Sequence, residues 1–311
     1  MSIQWFPGHM NKARKQIKEI LPQIHLIIEV LDARIPFSSE NPMIAQLRGE
    51  KPCIKVMTKS DLADPAITEQ WLQYFEREQG IKAIALTTKN PEKIRDLIDL
   101  CRQMLPARDK GHNDIHVMIM GIPNVGKSTL INMLAGKSIA KTGNEPAVTK
   151  GQQRINLRNG IMLFDTPGML WPKVESEKGS YRLASTGAIK DTAMSYDDVA
   201  FFAADYLLKN YPELLKQRYQ LTDLPATELE FLETIGLRRG CLRSGGRVDL
   251  EKISTIFLNE YRAGTLGRIT LETPEMTQVE TVEVAAQIAE REAKKAARKG
   301  LRKKGGAKPS P

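Results

Sequence analysis

"GIPNVGKST" (Gly121 to Thr129) fills every fixed position of the pattern G-x-x-x-x-G-K-[ST]. The apolar run "IHVMIM" before it reads as a strand, and "KSTLINMLAG" after it reads as a helix. Strand, glycine-rich turn and helix start are the context in which this pattern binds phosphate. The glycines let backbone N–H groups turn inward on the anion, and the helix N-terminus adds a positive end. Lys127 is expected to reach the β- and γ-phosphates and Ser128 to offer its hydroxyl to Mg²⁺. Asn124, Val125, Gly126 and Thr129 complete the phosphate-binding stretch.

Downstream, "LFDTPG" (Leu163 to Gly168) places an acid at the end of a second strand. Asp165 is suited to hold Mg²⁺, directly or through water, and the Gly168 N–H is placed to sense the γ-phosphate. Between the two elements, "NEPAVTKGQQ" contains Thr149, a candidate switch threonine whose hydroxyl would complete the Mg²⁺ shell. "QQRINLRNG" and "IMLFDTPG" are expected to pair as strands around a turn at Arg158-Asn159-Gly160.

A phosphate loop and an acidic strand end do not choose between ATP and GTP. "KVMTKSDLAD" (Lys55 to Asp64) does. Asp61 can accept two N–H bonds from guanine N1 and N2, a pattern adenine cannot present. The Lys59 stem can lie over the ring, with Thr58 and Ser60 shaping the turn. "LTTK" (Leu86 to Lys89), after the next strand, would cover the base edge with Thr87 and Thr88. These elements precede the phosphate loop. Their order is that of a G domain rotated, with its original ends joined through a linker at 106–114. Rotation is cheap because chain termini lie at the surface, often close together, and the crevice of a parallel sheet need not change.

The remaining chain fits this reading. "HLIIEVLDARI", "KPCIKVM" and "KAIALTT" read as strands alternating with helices at "NPMIAQLRG", "PAITEQWLQYFEREQG" and "PEKIRDLIDLCRQML". After about Gly179 the texture is helical, in "SYDDVAFFAADYLLKNYPELLKQRY", "PATELEFLETIGLRRG" and "DLEKISTIFLNEYRAG". Asp223 or Thr227, and Asp249, are expected N-caps or first-turn acids. The fold class is therefore α/β: a circularly permuted P-loop G domain, a mostly parallel sheet with flanking helices, plus a smaller all-helical C-terminal domain. Residues 1–178 form the first with a basic N-terminal helix, 179–275 the helical unit, and 276–311 a basic, partly disordered tail.

Composition sets limits. The chain has 311 residues, 41% of them apolar, enough for a sizeable core. No apolar run approaches the roughly 18–20 residues needed to span a bilayer, so no membrane partner is expected. The N-terminus lacks the apolar stretch and cleavage site of a secretory signal; it reads as a basic surface helix, with a transit peptide as the alternative. Cys53, Cys101 and Cys241 lie far apart, which excludes a disulfide framework and suits a cytoplasmic chain. The net charge of +9 is concentrated: nine Lys/Arg against two Glu give +7 from Ala289 to Pro311. The natural partner of such a tail is a polyanion; the alternative is a solubilising tail.

With "QWFPGHMNKA", "TKSD", "GIPNVGKST", "PAVTKGQ", "DTPG" and "RLASTGAIKD" in this order, the chain resembles the circularly permuted ribosome biogenesis GTPase A family (YlqF/RbgA). The resemblance spans most of residues 1–275. It implies GTP hydrolysis coupled to late assembly of the large ribosomal subunit and a C-terminal domain touching ribosomal RNA. It implies no dedicated protein cofactor. Three positions depart from the usual pattern. Thr58 stands where many GTPases have Asn, expected to loosen the tie between base loop and phosphate loop. Ala147 replaces Gly before the switch threonine, and Thr87-Thr88-Lys89 is an imperfect S-A-K element.

Where Ras-like enzymes carry a water-orienting Gln after D-x-x-G, this chain has Met169 and Leu170. The resemblance makes His9 a catalytic candidate, and an imidazole with an unperturbed pKa near 6.5 can handle a proton at neutral pH. The other candidate is a K⁺ ion ligated by Asn124. Two rivals to a catalytic assembly factor stand: a GTP-gated RNA-binding scaffold with little hydrolysis, and an RNA-modifying enzyme driven by GTP. The latter has no cofactor fingerprint to support it.

Overall fold

A computed structural model describes residues 8–106, 114–140, 153–168, 174, 176–189 and 195–304, with the side chains of 8–13 and 295–304 left out. Six strands form one sheet: β1 (Leu26–Asp32), β2 (Cys53–Thr58), β3 (Ile81–Ala85), β4 (Ile115–Gly121), β5 (Gln153–Asn156) and β6 (Ile161–Asp165). Their order is β3-β2-β1-β4-β6-β5. Every neighbouring pair is parallel except β5 with β6, which are antiparallel around Arg158-Asn159-Gly160 as expected. From β1 the chain winds outward through β2 and β3, then returns to lay β4 on the other side of β1. The order therefore reverses between β1 and β4, and a parallel sheet binds ligands in the crevice at that point.

Strand β1 is buried along its whole length, as a strand covered on both faces must be. Ile27, Leu31, Cys53, Met57, Met118 and Phe164 fill one face. Leu26, Ile28, Val30, Ile54, Val56 and Ile119 fill the other, and that cluster runs without a break into Ala203, Leu207, Phe231 and Phe257 of the helical segment. The period-2 alternation sends successive residues of β1 to opposite cores.

The helices start where short polar side chains cap them. On the sheet lie α1 (Gly8–Ile20), α2 (Pro42–Arg48), α3 (Pro65–Phe75), α4 (Lys93–Gln103) and α5 (Lys127–Ala135). Asp64 accepts from Ala66 N and Ile67 N to open α3, with Pro65 at the first position, where its missing N–H costs nothing. The C-terminal helices are α6 (Glu177–Ser185), α7 (Tyr196–Asn210), α8 (Pro212–Tyr219), α9 (Glu228–Arg238), α10 (Leu250–Ala263) and α11 (Pro274–Lys304). Thr227 and Asp249 cap α9 and α10, as two of the three expected residues. The stretch read as one helix over 195–219 is two. Pro212 cannot continue the hydrogen-bond ladder, and Tyr211 before it leaves the helical region at φ −134°. Within the span expected as a basic tail, α11 runs as helix to Lys304, and residues 305–311 lie outside the described residues. Among the described residues no helix is long and apolar enough to cross a membrane.

Between α10 and α11 the chain doubles back over the sheet as a strap. Ile269 N donates to Leu62 O at 2.9 Å and Leu271 N to Arg34 O at 2.8 Å. Arg268 reaches Ala63 O and Ser60 O at 3.1 and 3.3 Å. Glu272 is fully buried: its carboxylate accepts from Ser38 N at 2.8 Å and its carbonyl from the Trp71 indole at 3.1 Å.

One buried charge group lies on the sheet itself. Glu29 and Lys55 are register partners on β1 and β2, with Lys55 Nζ 3.6 Å from Glu29, bonded to Glu40 and 4.5 Å over the Phe75 ring. Burial pushes Glu29 up from 4.5 to about 7, against the pull of Lys55. Between those values the folded chain holds a proton that the unfolded chain has lost. This group's stabilisation is thus complete below the unfolded value and drains as pH rises through the folded one. Glu29→Gln is expected to flatten that slope, so melting curves at pH 5 and pH 8 should show the wild type losing more than the variant. Equal losses would show that Glu29 does not titrate in this window.

Candidate nucleotide site

The crevice between the carboxyl ends of β1 and β4 gathers most of the residues singled out in the sequence. Gly121 ends β4 so close to β1 that a Cβ there would lie 2.8 Å from Val30 O, so only glycine fits. The loop then bends through Asn124 at φ 62° and Gly126 at φ 93° into α5. Lys127, at the first turn of α5, is 6% exposed and forms an ion pair with Asp165 at the end of β6. Burial pushes the Lys127 ammonium down and the Asp165 carboxyl up, each against its partner's attraction. Gly168 lies against the phosphate loop, where a Cβ would sit 3.3 Å from Pro123.

Asp165 also tests the fit to Mg²⁺. Its Oδ1 holds Lys127, while Oδ2 is buried with no hydrogen-bond partner among the described residues. A buried carboxylate oxygen without a donor is costly and is the type of hard ligand Mg²⁺ takes. Ser128, half-buried on the next position of α5, can supply the hydroxyl. Thr149, the third predicted ligand, lies outside the described residues, as do Ala147, Met169 and Leu170. His9 is the second residue of α1; its side chain is outside the description.

The base-reading elements converge on a cavity of about 200 Å³ beside the phosphate loop, lined by Lys59, Asp61, Leu86, Thr87, Thr88 and Leu130 among others. Burial alone would raise the Asp61 carboxyl, but hydrogen bonds from Lys89 and Thr87 outweigh it and hold the group below the ordinary carboxylate range. Lys89 lies 3.0 Å from Asp61. Ser60 closes the turn through its N–H to Leu86 O at 3.2 Å.

The expected loosening at Thr58 does not occur. Its hydroxyl contacts Val125 O in the phosphate loop and lies 2.9 Å from Leu31 O. The shorter side chain reaches because Gly126 has no Cβ: one placed there would be 3.3 Å from the Thr58 hydroxyl. Asn124 is also engaged, its amide nitrogen donating to Gly187 O just beyond α6 at 2.8 Å.

Two neighbours of the site were not legible in the motifs. Asp32, at the end of β1, receives Lys59 Nζ at 2.8 Å and both Arg34 Nε and Nη2 at 2.9 and 2.7 Å. The only signal was the charged D-A-R closing a strand whose other polar residue is Glu29. The apolar floor of Leu62, Leu130 and Met133 looked like ordinary helix and loop core.

Among the basic groups of α1 and the helical segment, Arg14, Lys15, Lys18 and Arg247 are exposed. Others are engaged within the molecule. Arg238 donates to Tyr219 O at 2.9 Å, and Arg239 pairs with Glu260 at 2.6 Å. Arg243 pairs with Asp249 at 3.0 Å but stays 58% exposed.

Known proteins resemble this chain in sequence and fold. Residues 116–227 match the family model described as a 50S ribosome-binding GTPase. The ribosome biogenesis GTPase A of Priestia megaterium is 48% identical over 282 residues, covering 88% of this chain and 98% of that protein. The GDP-bound structure of YlqF from T. maritima superimposes with a TM-score of 0.61 at 28% identity, covering 84% of this chain and 99% of that one. The GNP-bound form gives 0.60, with 85% and 99% covered.

Proposed function

The chain belongs to the ribosome biogenesis GTPase A family, and from that membership we propose that it binds immature large ribosomal subunits and couples GTP hydrolysis to late 50S assembly and its own release. GTP hydrolysis and guanine-nucleotide binding come with the family and its GTPase domain. The observation that carries the rest is the connection out of the site. Ser176, only eight residues beyond Gly168 in the sequence, caps α6, and α6 packs against α7 and α10 of the helical segment. A loop that senses the γ-phosphate is thereby joined to the unit that would meet ribosomal RNA. The cytoplasm is the compartment for this work.

Asp61 reads guanine, Lys59 lies against the base, and Thr87 and Thr88 cover its edge. Lys127 and the backbone from Asn124 to Thr129 hold the phosphates. Ser128, Thr149 and Asp165 would hold Mg²⁺, which when bound neutralises charge on the phosphate oxygens. His9 orients the attacking water in place of the missing Gln, and K⁺ at Asn124 is the competing source of positive charge. The exposed Arg14, Lys15 and Lys18 of α1, with Arg243, Arg247 and the basic residues of the tail, meet RNA phosphates, so binding should weaken steeply with salt.

His9→Ala is expected to lower hydrolysis on large subunits by roughly a hundredfold or more, the usual worth of a positioned acid–base group, with GTP affinity unchanged. A wild-type rate for the variant in KCl would transfer the role to the ion. The assembly role is tested by crosslinking the GTP-analogue-bound protein in extract and identifying the co-sedimenting particle. Immature large subunits are expected; mature small subunits would overturn the assignment. The scaffold reading survives only if large subunits leave multiple-turnover hydrolysis negligible.

A further inference from the structure

Lys59 is held at both ends. Its backbone sits in the left-handed region at φ 56°, a conformation that a lysine keeps only when its surroundings impose it. Its Nζ donates to Asn124 O in the phosphate loop at 2.7 Å and to Asp32 Oδ2 at 2.8 Å. The stem between these anchors lines the base cavity. Asp32 is buried, 3% exposed in its side chain, and four donors converge on its carboxylate: Lys59 Nζ, Arg34 Nε and Nη2, and the Arg34 backbone N–H at 3.1 Å. Two cations on one anion leave a net positive charge beside the phosphate loop.

The contacts continue beyond the carboxylate. Arg34 donates to Arg262 O at 3.3 Å and lies 5.5 Å over the Tyr261 ring, both on α10. Arg262 donates to Ser185 O and Ala184 O at the end of α6, at 3.0 and 2.8 Å. Two residues further, Gly187 O takes the Asn124 amide, which closes the circuit on the phosphate loop. Base motif, phosphate loop, α10 and α6 are thus tied in one ring, and Asp32 is the only anion in it.

We propose that Asp32 is a positioning residue for guanine recognition: its carboxylate fixes the Lys59 ammonium against the phosphate loop, so that the lysine stem is preset along the base cavity. Arg34 makes the buried carboxylate tolerable and ties it to the helical segment. Burial alone would raise the Asp32 carboxyl, but the Arg34 and Lys59 charges outweigh it and hold the group far below the usual carboxylate range. The carboxylate that receives Lys59 is therefore ionised at physiological pH, while burial and the neighbouring Arg34 charge pull the Lys59 ammonium down against the attraction of Asp32. A presented side chain binds without the ordering cost that a free lysine would meet on ligand entry.

The proposal rests on Lys59 contacting the base, and the variants separate the two ideas. Binding of GDP and of inorganic tripolyphosphate, which has no base, is measured for Asp32→Asn, Lys59→Met and the double variant Asp32→Asn/Arg34→Gln. The double variant matters because Asp32→Asn leaves Arg34 buried without its carboxylate, which can unfold a protein. In Asp32→Asn, and in the double variant, GDP affinity is expected to fall about 10- to 100-fold, the worth of a lost charge-assisted hydrogen bond, with tripolyphosphate affinity nearly unchanged. Wild-type GDP affinity in the double variant, or an equal loss of both ligands, overturns the positioning role. If Lys59→Met itself binds GDP like the wild type, the base contact fails and the proposal fails with it. If Lys59→Met loses GDP while the Asp32 variants do not, only the role of Asp32 falls.

Discussion

Asp61→Asn is expected to cost the protein roughly a thousandfold in GTP affinity and to make XTP the preferred ligand. Guanine offers two donors, N1–H and the exocyclic N2–H, to a carboxylate that can accept both. Charge-assisted bonds of this kind are worth about 1.5–3 kcal/mol each; the variant keeps one bond without its charge and sets a donor against the second N–H, which together amount to a factor of about 10² to 10⁴. An Asn amide accepts one bond and donates the other, which suits xanthine, whose second group is a carbonyl. The structure adds a reason to expect a large effect. Lys89 and Thr87 keep Asp61 ionised despite its partial burial, so a full negative charge awaits the base. Lys89 is 73% exposed and can yield its place when the base arrives. Competition of GTP, XTP and ATP against a fluorescent guanine nucleotide measures the exchange. An Asp61→Asn protein that still prefers GTP would remove this residue from base reading.

The largest loss of stability is expected at Arg182, remote from the base. This arginine on α6 is 2% exposed and makes paired 2.7 Å bonds to Glu280 of α11; it also lies 3.3 Å from Glu272 and donates to Leu271 O at 3.1 Å. Arg182→Met would leave two carboxylates in the interior without their cation, which costs about 3–5 kcal/mol when one partner of a buried pair is removed. Burial already raises Glu272 even with the arginine present, and removing the arginine raises it further. A carboxyl raised in the folded state loses its stabilisation as pH increases, so the deficit of the variant should be larger at pH 8 than at pH 5.5. Urea denaturation at the two pH values checks this. Adding Glu272→Gln and Glu280→Gln to Arg182→Met should recover most of the loss; a triple variant as unstable as the single one would show that packing, not charge, is at stake.

The parts of this fold that could be read from the chain are those whose chemistry is local. A phosphate loop announces itself because its glycines and lysine are neighbours in sequence as well as in space. The same is true of T-K-S-D and D-T-P-G, and their order was enough to show a rotated G domain; that β1 and β4 lie side by side came from the structure. What escaped notice depends on partners far along the chain. Thr58 looked like a weakened Asn until Val125 O, 67 residues away, was found within its reach. D-A-R looked like a strand end because Arg34 meets α10 across 228 residues. Glu272, in the polar stretch "TLETPE", gave no sign of being fully buried, since its partners Ser38 and Arg182 come from two other elements. The helix over 195–219 was overextended because apolar spacing persists through Pro212 while the backbone does not.

The strap that carries Glu272 also sets an order in time. Ribosomes make proteins from the N-terminus at about 5–20 residues per second. Strand β2 and the turn after it are therefore made some seconds before the phosphate loop, and the strap well after both. Ser38 and Glu272 are 234 residues apart, which separates their synthesis by roughly 12–47 seconds at that pace. In an unpermuted domain the phosphate loop would come first and the base motif would complete the site from the same sheet. Here the loop that reads the base is fastened by the last buried turn of chain before α11. The turn at 60–63 therefore waits, after its own synthesis, for a strap made roughly 200 residues later before it is held as it stands in the finished fold.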